Sequence, residues 1–329
     1  MSKVIISIHG LGNKPPKETL SLWWQTSIFE GLNKINKFIY RPKFEMVYWA
    51  DILNKKPLNE LITDKENPYY LDEKYTPGPK NYVPKQHTTR KKVLKFIEDQ
   101  MDKIFLNKDL TTNFSFVSDM VFHNYFKELE IYYSNHKNKN TPLVREQIRT
   151  RLVKVLNKYK NDEIFLIAHS MGTIVAYDVL TFLVPEIKIN TFITIGSPLG
   201  LPVIVSKTIK EYEEVFNKKE KLKTPPGITK NWFNFSDLED SVAINYNLAN
   251  DYDENKNGVK VKDIIVSNDY QMNGEPNPHK SYGYLRTPEF SEAINNFLTE
   301  DKTKLELWLL KRYNKILNKI KPLPFERKQ

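Results

Sequence analysis

The junction at residues 163–182 constrains this chain more than any other feature. Glu163-Ile-Phe-Leu-Ile-Ala168 is a short apolar run that reads as a buried strand. It passes through His169-Ser170-Met171-Gly172 directly into a helical stretch, Thr173 to Phe182. A serine at the apex of such a turn needs a strained backbone conformation. Side chains two residues to either side would collide where strand and helix pack closely, and here those positions are Ala168 and Gly172. The helix behind Ser170 also aims free N–H groups at the apex. The plainer alternative is a serine that only caps the helix.

The elements around this junction follow an α/β pattern. Lys3 to His9 reads as a buried strand ending at Gly10-Leu11-Gly12, followed by a helix from about Lys17 to Lys37 with apolar residues at Leu20, Trp24, Ile28, Leu32 and Ile35. A second strand is expected over Lys43–Ala50. From Asp51 to Thr88 the prolines 57, 68, 77, 79 and 84 indicate a long irregular excursion. Helices are expected near 89–106, 114–133 and 142–159, with a break at 134–141. Downstream come a strand at Lys188–Ile195 ending at Gly196-Ser197-Pro198, a helix between Val203 and Asn217, strands at Asn231–Phe235 and Val261–Val266, and helices near 288–298 and 302–320. Strands alternating with helices predict a mostly parallel sheet with helices on both faces. The economical organisation is one domain over 1–329, with a lid-like insertion at about 51–160 and a C-terminal amphipathic helix at 302–320.

Composition narrows the chemistry. The chain has 329 residues and no cysteine, which excludes disulfides, thiolate catalysis and Cys-based metal sites. No stretch approaches the ~20 apolar residues needed to span a bilayer, and the first strand is too short for a signal peptide. These features lead to an expected cytoplasmic location. The formal charge of +10 is spread along the chain, often beside Asp or Glu, and no nucleic-acid signature accompanies it. No nucleic-acid partner is expected.

A serine hydroxyl becomes a nucleophile only with a base in hydrogen-bond reach, a group orienting that base, and N–H donors where the oxyanion develops. The chain order of a nucleophile-elbow enzyme is Ser, acid, His. Of the six histidines, His9, His87, His123, His136, His169 and His279, only His279 follows Ser170. Ser236-Asp237-Leu238-Glu239-Asp240-Ser241-Val242 supplies the candidate acids; Asp240 is preferred and Asp237 is the runner-up, with Glu239 directed the other way in an extended segment. The oxyanion donors are expected to be the backbone amides of Leu11 and Met171, supported by the turns His9-Gly10, Gly12, Ala168-His169 and Gly172.

His9-Gly10-Leu11-Gly12, Ala168-His169-Ser170-Met171-Gly172 and Gly196-Ser197-Pro198 together resemble the lipase and esterase branch of the α/β-hydrolase superfamily. Gly10-Leu-Gly-Asn-Lys-Pro-Pro, Trp23-Trp24, Tyr48-Trp49-Ala50-Asp51 and Trp232 through Val242 are similar to a poorly characterised group of bacterial serine hydrolases. The resemblance implies an α/β-hydrolase fold, a Ser-His-Asp triad, ester chemistry through an acyl-enzyme, and no metal or organic cofactor. The expected substrate is a small-molecule or lipid carboxylic ester. A thioesterase or acyltransferase using the same triad, and a non-catalytic binding module of the same fold, stand as alternatives.

Two further segments invite weighing. Asp253-Glu-Asn255-Lys-Asn257-Gly258 fits half of a calcium loop, but Ile264 stands where a bidentate Glu belongs, so an Asn-Gly hairpin turn is the expectation. The helix at 302–320 carries apolar residues at helical spacing opposite Lys and Arg; docking on its own domain is favoured over peripheral contact with an anionic membrane.

Overall fold

The computed structural model describes residues 2–37, 42–72, 74–79, 129, 132–133, 143–217, 221–243, 246–309 and 312. Six strands form one sheet: β1 (Lys3–Ile8), β2 (Lys43–Val47), β3 (Glu163–His169), β4 (Ile189–Ile195), β5 (Ile228–Asp237) and β6 (Val261–Val266). They lie in the order β2-β1-β3-β4-β5-β6, and every neighbouring pair is parallel.

The near-continuous apolar character of β1, β3 and β4 has its cause in this arrangement, because both faces of the sheet are covered. On one face Val4, Ile6, Ile164 and Leu166 pack against α2 (Val144–Lys158), α3 (Met171–Asp178) and α4 (Pro202–Phe216) through Leu152, Ile174 and Ile204. On the other, Ile5, Phe165 and Ile167 meet Trp24 and Ile28 of α1 (Lys17–Lys34) and Phe290 and Ile294 of α5 (Pro288–Thr299). Burying each such side chain stabilises the fold by about 1.5–3 kcal/mol.

From β1 the chain proceeds to β2 on one side, and β3 then adds on the other. Open α/β sheets bind ligands outside the carboxyl ends of their strands at such a reversal. The register brings those ends level: Ile8 pairs with Ala168, His169 with Ile195, Ile195 with Phe235, and Asp237 with Val266. The residues that follow, Gly10, Ser170, Gly196 and Asp240, therefore emerge along one edge.

Several elements depart from expectation. β2 stops at Val47 rather than Ala50, because the Trp49 amide leaves the ladder to donate to His9, and Ala50–Leu53 is a helical turn. The helix after Ser170 starts at Met171 and widens into a π turn over Val179–Leu183. β5 runs three residues further upstream and two further downstream than predicted, so Asp237 ends the strand and is not in the loop.

The turn at Asn257-Gly258 is not a hairpin. Tyr252–Asp253 before it pairs in parallel with Leu222–Lys223, while β6 after it pairs with β5. The Asn255 side chain organises this turn, accepting from the amides of Asn257 and Val259. The short hairpin of Gln271–Met272 with Glu275–Pro276, turning through positive φ at Asn273 and Gly274, had no predicted counterpart.

Within 304–309 the expected docking is incomplete: Leu307 is half-buried, whereas Leu305, Trp308 and Leu309 are 66%, 48% and 51% exposed, with the Arg312 guanidinium over the Trp308 ring. The rest of that helix, apart from Arg312, lies outside the described residues. So do the helices expected near 89–106 and 114–133, apart from Leu129, Tyr132 and Tyr133, and the break at 134–141.

The described part of the excursion, 54–79, contains no helix or strand among the described residues beyond an isolated bridge between Asn59 and Tyr70. Its end is tied to the site-bearing edge. Buried Arg286 donates to Thr76 O (2.6 Å) and to Asp269 Oδ1 (2.5 Å), while Glu30 accepts from Tyr75 Oη (2.8 Å) and Gly78 N (2.7 Å). No helix among the described residues is long and apolar enough to cross a membrane.

Candidate active site

Ser170 sits between β3 and α3 with φ 53° and ψ −130°, a backbone conformation that L-residues rarely adopt. Three contacts hold it there. Its amide donates to Ile195 O (3.1 Å), and its carbonyl accepts from the Thr173 amide (2.9 Å) and from Thr173 Oγ1 (2.7 Å). The glycines around it are closely packed against the end of β1 and the serine itself. A Cβ on Gly172 would stand 2.7 Å from His9 O, and one on Gly10 would stand 2.6 Å from Ser170 Cβ. The loop after β1 thus passes directly against the serine.

Ser170 Oγ lies 3.0 Å from His279 Nε2. His279 Nδ1 lies 2.9 Å from both oxygens of Asp240, whose side chain is 0% exposed. The carboxylate requires a proton on Nδ1, which leaves Nε2 free to accept from the serine hydroxyl. Asp240 Oδ1 also accepts from the Val242 amide (2.9 Å), and Oδ2 accepts from Tyr284 Oη (2.7 Å). The runner-up, Asp237, does not reach the imidazole through these contacts; its oxygens accept from the amides of Glu239 (2.7 Å) and Asn268 (2.6 Å).

His9 and His169 are buried and held neutral. Burial, and secondly the charge of Lys14, lowers His9 to about 3; burial, and then His279, holds His169 well below the ordinary histidine range. His9 Nε2 accepts from the Trp49 amide (3.0 Å), so its proton is on Nδ1 and is donated to Gly10 O (2.8 Å). A trans peptide places C=O and N–H on opposite sides. Fixing Gly10 O on the His9 ring therefore turns the Leu11 N–H away from it. The Lys14 ammonium holds the Leu11 carbonyl, completing a rigid turn. Among the described residues neither the Leu11 nor the Met171 amide donates to a protein acceptor. His169 Nε2 donates to the carbonyl of His279 itself (2.8 Å), so the residue before the serine also holds the histidine's backbone.

The two neutral histidines predict acid sensitivity. Their folded values lie below the ordinary 6.5, so between that value and the folded one the unfolded chain binds protons that the native chain does not. This stability is complete above about pH 6.5 and is lost as pH falls, at about 1.4 kcal/mol per pH unit for each ring. Urea unfolding at pH 7.5 and 5.5, above the carboxylate range, should give a lower midpoint at the lower pH. Equal midpoints would show that neither ring is held neutral.

Sequence reasoning did not anticipate Gly196, Tyr284 or Asn268. Gly196 has φ +53°, and a Cβ there would lie 2.8 Å from Asp240 Oδ2 and 3.2 Å from His279 Nδ1. The Gly196-Ser197-Pro198 motif marked the position without saying what the glycine faces. Tyr284 and Asn268 lie outside any local motif.

A parallel sheet covered on both faces, with a serine on a strand–helix elbow at the reversal of strand order, defines a protein of the α/β-hydrolase type. The chain belongs more particularly to the family described as PGAP1-like alpha/beta domain, whose model matches residues 82–277. That match includes Ser170, Asp237 and Asp240 and ends two residues before His279. Neither a search of curated proteins nor one of solved structures returned a match.

Proposed function

We propose that the chain is a serine hydrolase that cleaves carboxylic esters, with lipid esters the leading class. The observation that carries this reading is the continuous line from Ser170 Oγ to His279 Nε2 (3.0 Å) and from His279 Nδ1 to buried Asp240 (2.9 Å). Membership of an α/β-hydrolase-type family supports the reaction class. Exposed Leu305, Trp308 and Leu309 favour an apolar substrate or the surface that presents one.

In the proposed reaction Ser170 Oγ attacks the ester carbonyl while its proton passes to His279 Nε2. The carbonyl oxygen becomes an oxyanion that accepts from the Leu11 and Met171 amides. Collapse of the tetrahedral intermediate breaks the ester C–O bond, and His279 returns the proton to the departing alkoxide. Water then attacks the acyl-enzyme with His279 again as base, releasing the carboxylic acid and Ser170. Asp240 holds the imidazole in one tautomer and stabilises its positive charge without taking the proton.

A binding module would not need a base within reach of the serine, and the 3.0 Å contact weighs against that alternative. A panel of p-nitrophenyl esters from acetyl to palmitoyl, run beside acyl-CoA thioesters, tests the proposal. Ester turnover that rises with chain length is the expected result. Preference for the thioesters would move the substrate class, and no turnover of any member by the folded protein would remove the enzymatic reading.

A further inference from the structure

We propose that Asp237, Asn268 and Tyr284 form a positioning layer behind Asp240 and His279, an inference that rests on reading Ser170, His279 and Asp240 as a triad. The layer starts at the end of β5. The Asp237 amide donates to Tyr284 Oη (2.9 Å), and the same phenol donates to Asp240 Oδ2 (2.7 Å). Its oxygen is therefore fixed from one side and aimed at the acid from the other. Burial, and next the charge of Asp240, pushes the phenol well above its ordinary range, so it remains a donor throughout the working pH range.

From Asp237 a second branch runs to the base. Asp237 Oδ2 accepts from the Asn268 amide (2.6 Å). The Asn268 side chain then donates to both Pro278 O and Lys280 O (2.8 Å each), the carbonyls flanking His279, while its oxygen accepts from the Tyr270 amide (3.0 Å). One residue, three positions upstream of the acid, thus reaches the acid through its backbone amide and the base through its carboxylate. Asn268 fits this place tightly, since a Cβ on Gly283 would overlap its side-chain amide. These residues are not catalytic in the sense of touching substrate; they act through Asp240 and His279.

The layer has an electronic consequence that simple packing lacks. A phenol donating to Asp240 withdraws electron density from the carboxylate and weakens it as a partner for the imidazolium. Removing the donor strengthens that partner and tightens its hydrogen bond to the imidazole.

The test is Tyr284→Phe, with Asn268→Asp as the second variant. The aspartate keeps the side-chain shape and the oxygen facing Tyr270 but loses both donations to the loop. Active-site titration normalises each preparation to its active fraction. For Tyr284→Phe the acid limb of the kcat/KM profile should move up by about half a pH unit or more. The downfield proton resonance of the His279–Asp240 hydrogen bond should move as well, a signal that needs no turnover. For Asn268→Asp, kcat should fall by about tenfold with KM little changed, because the base is no longer held in line. A Tyr284→Phe enzyme with the wild-type acid limb and an unmoved resonance would overturn the proposal. So would wild-type kcat in Asn268→Asp. An inactive wild type would fail the triad reading instead, and the resonance would still report whether Tyr284 acts on the pair.

Discussion

His279→Ala should lower kcat on a short-chain ester by about 10⁶-fold, to the level that binding and the oxyanion amides sustain alone. His279 Nε2 is the group that can take the Ser170 proton in the described site. His169 cannot replace it, although its ring centroid is only 4.9 Å away, because its Nε2–H is committed to the His279 carbonyl and burial keeps it uncharged. The variant also leaves Asp240 buried with Tyr284 and the Val242 amide as its named donors. A stability loss of about 1–3 kcal/mol should accompany the kinetic loss. Steady-state kinetics together with urea unfolding separate the two effects. Residual activity within tenfold of wild type would mean that another base serves the serine.

Gly196→Ala should lower kcat by about 10²-fold or more through geometry alone. Two penalties coincide at this residue. Positive φ costs an L-residue about 1–2 kcal/mol, and the new methyl group would enter the space between Asp240 and His279. Asp240 cannot retreat without breaking its bonds to Tyr284 or to the Val242 amide. Gly258→Ala separates the penalties, since Gly258 also has positive φ (+69°) but has nothing within 4 Å of where a Cβ would stand. That variant should lose about 1–2 kcal/mol of stability and keep its kcat. If both variants retained full kcat, the contact at Gly196 would not govern the site.

What the sequence made legible was whatever depends on local pattern. The apolar run before Ser170, the small residues at Ala168 and Gly172, and the loop after β1 each carry their reason within a few residues, because steric limits at a strand–helix elbow act locally. The order of acid and base along the chain then drew Asp240 and His279 from short candidate sets. Separating Asp240 from Asp237 was a closer matter. Both lie on one short segment, and only the folded chain shows that Asp237, still on the strand, faces the amides of Glu239 and Asn268 while Asp240, in the loop beyond it, faces His279.

The rest was hidden because it depends on partners distant in sequence. Tyr284 matters through a residue 44 positions upstream, and His9 through Trp49, 40 positions downstream. Neither spacing leaves a periodic trace. The Asn257-Gly258 turn carried a hairpin signature, yet its flanking strands found parallel partners in two different sheets. Local turn chemistry cannot report that competition.

A fluorophosphonate probe on the purified protein tests the central claim most directly, because it reacts only with a serine activated by its neighbours. The account predicts stoichiometric labelling of the wild type, located by mass spectrometry on the peptide that contains Ser170 and absent from Ser170→Ala. A folded wild type that takes no label, or a Ser170→Ala variant that labels as fast as the wild type, would contradict it.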